Sequence, residues 1–278
     1  MSKRFLKLST VFAMAVALGV ILILAGCEGA VTPSEPTPER PPRPPAGPPP
    51  PRPGTTPMVA LTFDDGPNNV VTNRILDVLE EHGGRATFYV QGYRVIPEAA
   101  TVIRTLSLGS EVAGHSWDHP DLSTLSEGEV RRQLQQTRNM LRIFFDHDDF
   151  EHPPLPHFRP PFGAVNQTVL DVAEDMWYAI VGWTMDTNDW MPVNQNVEFL
   201  YNFIMENVED GSVILLHDIW PTTADAMELV IPSLIERGFE LVTVTEMLYH
   251  TGYLDPGMVF GTVFGLPPGF EQTPVPRP

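Results

Sequence analysis

The sequence predicts an α/β fold in which about seven parallel strands close, or nearly close, into a barrel with helices outside. Three observations predict it. Short apolar runs alternate with longer amphipathic runs between residues 58 and 250, the pattern of parallel strands joined by helical crossovers. The β/α units follow one another without a fixed-length repeat. Polar residues of catalytic type fall just after the strands, on the face where β/α barrels build their sites. A doubly wound open sheet is the alternative, although no glycine-rich dinucleotide fingerprint follows the first strand.

Met58–Phe63 reads as a short apolar strand, and Val70–His82 as a helix that stops at Gly83-Gly84. Ala86–Val90 is a strand, Glu98–Leu106 a helix and Glu111–Gly114 a strand. Ser126–Phe145 is a long amphipathic helix, with Ser126 and Glu129 spaced as a capping box. A short extended piece lies near Phe158, then a helix over Asn166–Met176 and a strand over Tyr178–Thr184. Asn196–Asn207 is helical, Val213–Leu216 a buried strand, and Thr223–Arg237 a helix. Glu240–Thr243 and Val244–His250 supply the last strand and helix.

The flanks have another character. Met1–Lys7 is basic and Val11–Ala25 is apolar. The apolar run is shorter than the roughly 20 residues of a spanning helix, so residues 1–26 read as an export signal. The run ends Leu24-Ala25-Gly26-Cys27, which resembles the lipobox of bacterial lipoproteins. Cys27 is the only cysteine, and its expected role is lipidation, anchoring the exported protein to a membrane facing the cell wall or periplasm. The alternatives, behind the lipoprotein reading, are an ordinary signal peptide with an incidental cysteine and an uncleaved anchor. Residues 27–57 form a proline-rich linker, which at ~3.1 Å per residue reaches about 90 Å. Residues 251–278 form a Pro/Gly-rich tail, wrapping or loosely ordered.

Charge narrows the chemistry. The chain carries 17 Lys+Arg against 35 Asp+Glu, a net charge of -18. The only lysines are Lys3 and Lys7, so the folded part has no lysine for imine chemistry or for a P-loop. Such an acidic body repels polyanions and argues against nucleic acid as a partner. It suits a neutral polymer or a bound cation. No protein partner is inferable.

The strand ends hold the chemistry. Asp64-Asp65 follows the first strand, and His115 and His119 follow the third. Arg159 follows the short fourth piece. Asp186, Asp189 and Trp190 follow the fifth, and His217-Asp218 the sixth. Two imidazoles at i and i+4 face one ion if their segment is helical. Asp64 or Asp65 would complete a three-ligand site with an open position. The aspartate left over would serve as base and His217 as acid. His217 as a core hydrogen-bonding residue, and Arg159 in a structural ion pair, are the plain alternatives.

Five ordered segments resemble the motifs of the polysaccharide deacetylase family, carbohydrate esterase family 4. They read Thr62-Phe63-Asp64-Asp65-Gly66-Pro67, His115-Ser116-Trp117-Asp118-His119-Pro120, Arg159-Pro160-Pro161-Phe162-Gly163, Asp186-Thr187-Asn188-Asp189-Trp190 and Val213-Ile214-Leu215-Leu216-His217-Asp218. The resemblance implies a distorted (β/α) barrel over residues 58–250, with a groove, that removes acetyl groups with the help of a metal. It assigns Asp65, His115 and His119 to a divalent metal, usually zinc, with cobalt, manganese or nickel as alternatives. Asp64 becomes the base for the attacking water, kept charged by Arg159. His217 becomes the acid, oriented by Asp189. Trp190 and Leu215 line the slot for the acetyl methyl, and the backbone N–H of Phe162 helps hold the oxyanion.

The motif usually has tyrosine at position 162; phenylalanine keeps the backbone donor and loses the hydroxyl. Asp186 is expected to brace its loop. His147, His152 and His157 are expected in a solvated loop over Asp146–His157. The expected substrate is an acetylated envelope polysaccharide, N-acetylglucosamine of peptidoglycan first. Chitooligosaccharide, other poly-N-acetylglucosamine and acetylxylan are alternatives. A glycan-binding lipoprotein without catalysis is the reading from another class.

Overall fold

The computed structural model describes residues 56–145, 157–251 and 262–263. The signal segment, Cys27, nearly all of the linker, His147, His152 and most of the tail lie outside the described residues.

Among the described residues, nine strands run parallel in one sheet: β1 (Met58–Asp64), β2 (Thr87–Val90), β3 (Glu111–Gly114), β4 (His157–Phe158), β5 (Ala179–Val181), β6 (Met185–Asp186), β7 (Ser212–His217), β8 (Glu240–Leu241) and β9 (Thr262–Val263). Their order is β6-β7-β1-β2-β3-β4-β5-β9, with β8 paired to the start of β1. The sheet curls into a distorted half-barrel whose two edges, among the described residues, are β6 and β9, with β9 beside β5. This is the predicted architecture, with its seam now located.

One predicted strand is corrected. The run Tyr178–Thr184 does not form a single strand. The chain ends β5 at Val181 and resumes as β6, which pairs with β7 at the other end of the strand order. At the break the carbonyls of Val181 and Gly182 accept the guanidinium of Arg159, more than twenty residues earlier, at 3.2 and 2.7 Å.

Seven α-helices lie among the described residues: α1 (Val71–His82), α2 (Ala99–Ser107), α3 (Glu127–Phe145), α4 (Gln167–Asp175), α5 (Val197–Asn207), α6 (Pro221–Glu236) and α7 (Val244–Thr251). Their ends carry sequence signals. Gly83 takes φ 67° and closes α1, a conformation that costs glycine little because it lacks Cβ. Asn166 and Asn196 cap α4 and α5 by accepting the N–H groups of Val169 and Phe199. At α3 only half of the expected capping box forms. The Glu129 carboxylate accepts both the N–H and the hydroxyl of Ser126, so that hydroxyl donates.

Strand alternation sorts side chains between two cores. In β1, Val59, Leu61 and Phe63 face the helix layer, where they pack with residues of α1, α5 and α6. Ala60, Thr62 and Asp64 alternate with them and face the barrel interior. Ala60 joins Tyr89, Ala113, Val181 and Val213 there, and Val244, Met247 and Leu248 of α7 plug that cluster. A third cluster packs α3 and α4 against Phe158, Tyr178 and Ile180. Parallel register then carries Asp64, His217 and Asp186 to one end of the interior, since Asp64 pairs with His217 and Asp186 with Leu215.

Candidate active site

At the end of β1 the chain turns through Asp65, whose φ is 76°. The following Gly66 is required by close approach, because a Cβ there would sit 2.2 Å from a carboxylate oxygen of Asp218. This turn points Asp64 into the barrel and Asp65 across it. The Asp65 Oδ1 atom lies 3.2 Å from Nε2 of His119 and 3.7 Å from Nε2 of His115, and accepts the Gln91 amide at 2.8 Å. One donor atom each from Asp65, His115 and His119 lies within 4.8 Å of the others.

The His115–His119 segment is not helical, contrary to the helical condition placed on it from sequence. Ser116 and His119 adopt φ values of 62° and 66°. Those two left-handed residues, rather than a helical turn, bring the rings together, with centroids 5.0 Å apart. Gln133 of α3 holds the turn by accepting the N–H of Trp117 at 2.7 Å and donating to the Asp118 carboxylate at 2.7 Å. Left-handed backbone costs energy in residues with a Cβ and gathers where geometry matters; Asp65, Ser116, His119, Phe162 and Asn188 all show it in the motif segments.

The donor set fits a divalent cation. Burial holds His115 below its ordinary range, against the pull of Asp64 and Asp65, so the imidazole is neutral as a ligand must be. Its Nδ1 meets the Arg159 carbonyl at 2.8 Å, which fixes the ring and leaves Nε2 facing the cluster. Burial alone would raise the Asp65 carboxyl, but His115, His119 and the Gln91 hydrogen bond bring it below its ordinary value.

Asp64 Oδ1 accepts Nη1 of the fully buried Arg159 at 2.8 Å, while Oδ2 lies 3.7 Å from His115 Nε2. Arg159 Nη1 also donates to Thr62 Oγ1 at 2.8 Å, so every guanidinium nitrogen has a partner. His217 carries the second proton-transfer geometry. Its Nδ1 meets Asp189 Oδ1 at 2.6 Å, and Asp189 Oδ2 accepts the His217 backbone N–H and the Thr223 hydroxyl. Burial opposes a charge on His217, but the Asp189 hydrogen bond and the nearby carboxylates push it up to about 9. The imidazolium is therefore the resting form at neutral pH.

Leu215 is buried on the inner face two residues before His217. Trp190 is 50% exposed, and Phe162 is 70% exposed with its ring edge-on to His119 at 4.7 Å. Asp186 Oδ1 accepts the N–H of Asn188 and braces its loop, and burial raises its carboxyl.

Three partners escaped sequence reasoning. Gln91 stands at the end of β2, a position the strand-end argument left unused. Gln133 and Thr223 lie on α3 and α6, away from the strand ends where the sequence pointed. His157 was placed wrongly: it is not in a solvated loop but buried in β4, against Tyr89 and Glu111.

A cation site, a carboxylate held by arginine and an imidazolium held by carboxylate gather at the mouth of one parallel half-barrel. That combination defines a class, the α/β hydrolytic barrels with a candidate metal centre. The chain belongs to the polysaccharide deacetylase family, whose sequence pattern matches residues 52–181. It is 38% identical over 190 residues to the peptidoglycan-N-acetylmuramic acid deacetylase PdaC of Bacillus subtilis, covering 68% of this chain and 38% of that protein. Against the peptidoglycan-N-acetylglucosamine deacetylase PgdA of Listeria monocytogenes it is 38% identical over 193 residues, covering 69% and 39%. The chain thus spans less than half the length of these two relatives. It is 35% identical to a chitooligosaccharide deacetylase of Sinorhizobium fredii, covering 68% of this chain and 91% of that one. The solved structure of the Bacillus subtilis PdaC deacetylase superposes with a TM-score of 0.65 at 36% identity, covering 72% of this chain and 93% of that one.

Proposed function

We propose that the protein is a metal-dependent deacetylase of an N-acetylated envelope polysaccharide, with N-acetylglucosamine of peptidoglycan as its substrate. The observation that carries this reading is the pair of opposed proton-transfer groups, Asp64 on Arg159 and His217 on Asp189, beside the Asp65–His115–His119 cluster.

The reaction is hydrolysis of an amide. Water adds to the acetyl carbonyl carbon and gives a proton to Asp64. The C–N bond then breaks as His217 passes its Nδ1-anchored ring's other proton, from Nε2, to the departing nitrogen. The products are acetate and a free amine on the sugar. Arg159 holds one oxygen of Asp64 and leaves the other for the water. Asp189 fixes the ring and favours the protonated acid before cleavage. Leu215 and Trp190 receive the acetyl methyl, and the Phe162 N–H supports the oxyanion. Asp65, His115 and His119 would hold zinc, which supplies an acidified water and a polarised carbonyl when bound.

The substrate is supported by the names of the relatives and by the N-terminal signals. With residues 1–26 as export signal, Cys27 as lipid anchor and residues 27–57 as linker, the catalytic domain would act outside the membrane on wall material. The test is acetate release from peptidoglycan, chitooligosaccharide and acetylxylan, before and after chelation and after zinc or cobalt is restored. Zinc-dependent release greatest on peptidoglycan is expected; silence on all three overturns the proposal. Metabolic labelling with a fatty acid, compared with Cys27→Ser, tests the anchor.

A further inference from the structure

Beneath the Asp64–Arg159 pair the barrel interior holds three buried polar side chains that the hydrolytic steps do not use. They are Tyr89 of β2, Glu111 of β3 and His157 of β4, at 0, 6 and 2% exposure. They are joined in sequence. The Tyr89 hydroxyl lies 3.2 Å from His157 Nδ1, and His157 Nε2 lies 2.9 Å from Glu111 Oε1. Glu111 also accepts the Thr87 hydroxyl at 2.8 Å, the Thr245 N–H at 3.2 Å and the Thr245 hydroxyl. Thr245 opens α7, so the plug of the barrel is tied to the same carboxylate.

The direction of each hydrogen bond follows from the partners. Burial would raise Glu111, but His157, Thr245 and Thr87 bring it below its ordinary value, so it is an ionised acceptor. Nε2 of His157 therefore carries the proton. Burial pushes the Tyr89 phenol well above its ordinary range, so it keeps its proton. The contact of its oxygen with Nδ1 of His157, whose far nitrogen is held by Glu111, fixes the place of the ring. The Arg159 guanidinium carbon sits 4.2 Å from the centroid of that ring. A desolvated cation over an electron-rich ring is held more strongly than an exposed one.

We propose that Tyr89, set by His157 and Glu111, is a positioning residue for Arg159 and, through Arg159, for the Asp64 carboxylate. It touches no reacting atom. Tyr89 meets the guanidinium through its carbon, while the guanidinium nitrogens bind Thr62, Asp64, Val181 and Gly182. This inference rests on the reading of Asp64 as the base.

Three variants of the full chain test it. Tyr89→Leu removes the ring, and kcat is expected to fall about 10- to 30-fold with KM and bound zinc unchanged, the range of a buried cation–π contact. Tyr89→Phe keeps the ring and removes the hydroxyl, with an expected fall of about threefold, the weaker end of that interaction. His157→Gln is expected to match Tyr89→Phe. The independent readout is the set of nitrogen-15 signals of the Arg159 guanidinium. They are expected to shift and exchange faster in Tyr89→Leu, and less so in Tyr89→Phe. A merely structural role would lower Tm and leave kcat and these signals alone, which would overturn the proposal. If Tyr89→Leu does not fold, the near-isosteric Tyr89→Phe decides by the same two readouts. If the wild-type chain releases no acetate, the deacetylase reading fails, and the Arg159 signals still decide whether Tyr89 positions it.

Discussion

The Asp189 carboxylate holds His217 at two points, taking ring Nδ1 at 2.6 Å with one oxygen and the backbone N–H at 2.9 Å with the other. The ring is thereby fixed in tilt and in tautomer, and its remaining nitrogen is the one free to serve as acid. The same contact raises the imidazole to about 9, against a burial that would lower it.

The raised value makes stability pH-dependent. A histidine raised by folding contributes stability that is fully present below its unfolded value near 6.5. That contribution is lost as pH rises through the folded value of about 9. The chelated wild-type protein is therefore expected to lose about 3 kcal/mol relative to His217→Gln between those limits. Urea titrations of both proteins at stepped pH measure the difference, and a flat difference curve contradicts the assignment.

Asp64 and Asp65 are adjacent but differently placed, one on Arg159 and the other beside His115 and His119. Asp64→Asn is expected to lower kcat by at least about 10²-fold while bound zinc stays at wild-type stoichiometry. Asp65→Asn and His119→Ala are expected to lose the zinc. Elemental analysis beside acetate release separates the two aspartates; zinc loss in Asp64→Asn would reverse their roles.

Arg159 is fully buried and bound on every nitrogen. Arg159→Met leaves Asp64 as an uncompensated charge and is expected to cost about 3–5 kcal/mol. Arg159→Lys is not expected to restore the loss, because an ammonium cannot match the planar fork. Denaturant midpoints of the two variants provide the check.

Gly66 tests the turn that separates the two aspartates. A Cβ there would meet the Asp218 carboxylate at 2.2–2.5 Å. Gly66→Ala is expected to destabilise the fold by about 1–3 kcal/mol, as overpacking does, and to weaken zinc binding by displacing Asp65. Gly128→Ala is the control, since nothing lies within 4 Å of its added carbon.

Much of this was legible in the linear chain because it is written in local rules. The alternation of Val59, Leu61 and Phe63 with Ala60, Thr62 and Asp64 announces a strand with two buried faces. Gly83 and the asparagines Asn166 and Asn196 mark helix ends through backbone chemistry alone. The strand-end positions of Asp64, His115, Arg159 and His217 were readable because a parallel barrel sends every strand end to one face. The errors have a common origin in long-range contact. The Tyr178–Thr184 run looks continuous until Arg159, some twenty residues earlier, claims two of its carbonyls. His115 to His119 has helical spacing, but Gln133 and two left-handed residues shape it otherwise. His157 follows a polar, proline-rich stretch and reads as loop until Glu111 and Tyr89 are beside it.

The linear chain sets the residue types available for chemistry: two adjacent aspartates, three histidines that follow strands, one arginine among them, and no lysine past Lys7. It also determined the period of each element, since period depends on neighbours within one turn or one pleat. The three-dimensional fold supplied the rest: the backbone turns that set Asp65 toward the histidines and Asp64 toward Arg159, the break between β5 and β6, and Tyr89 beneath the guanidinium. Those outcomes depend on carbonyls, carboxylates and rings tens of residues apart competing for the same partners, and that competition is settled only when the barrel closes around them.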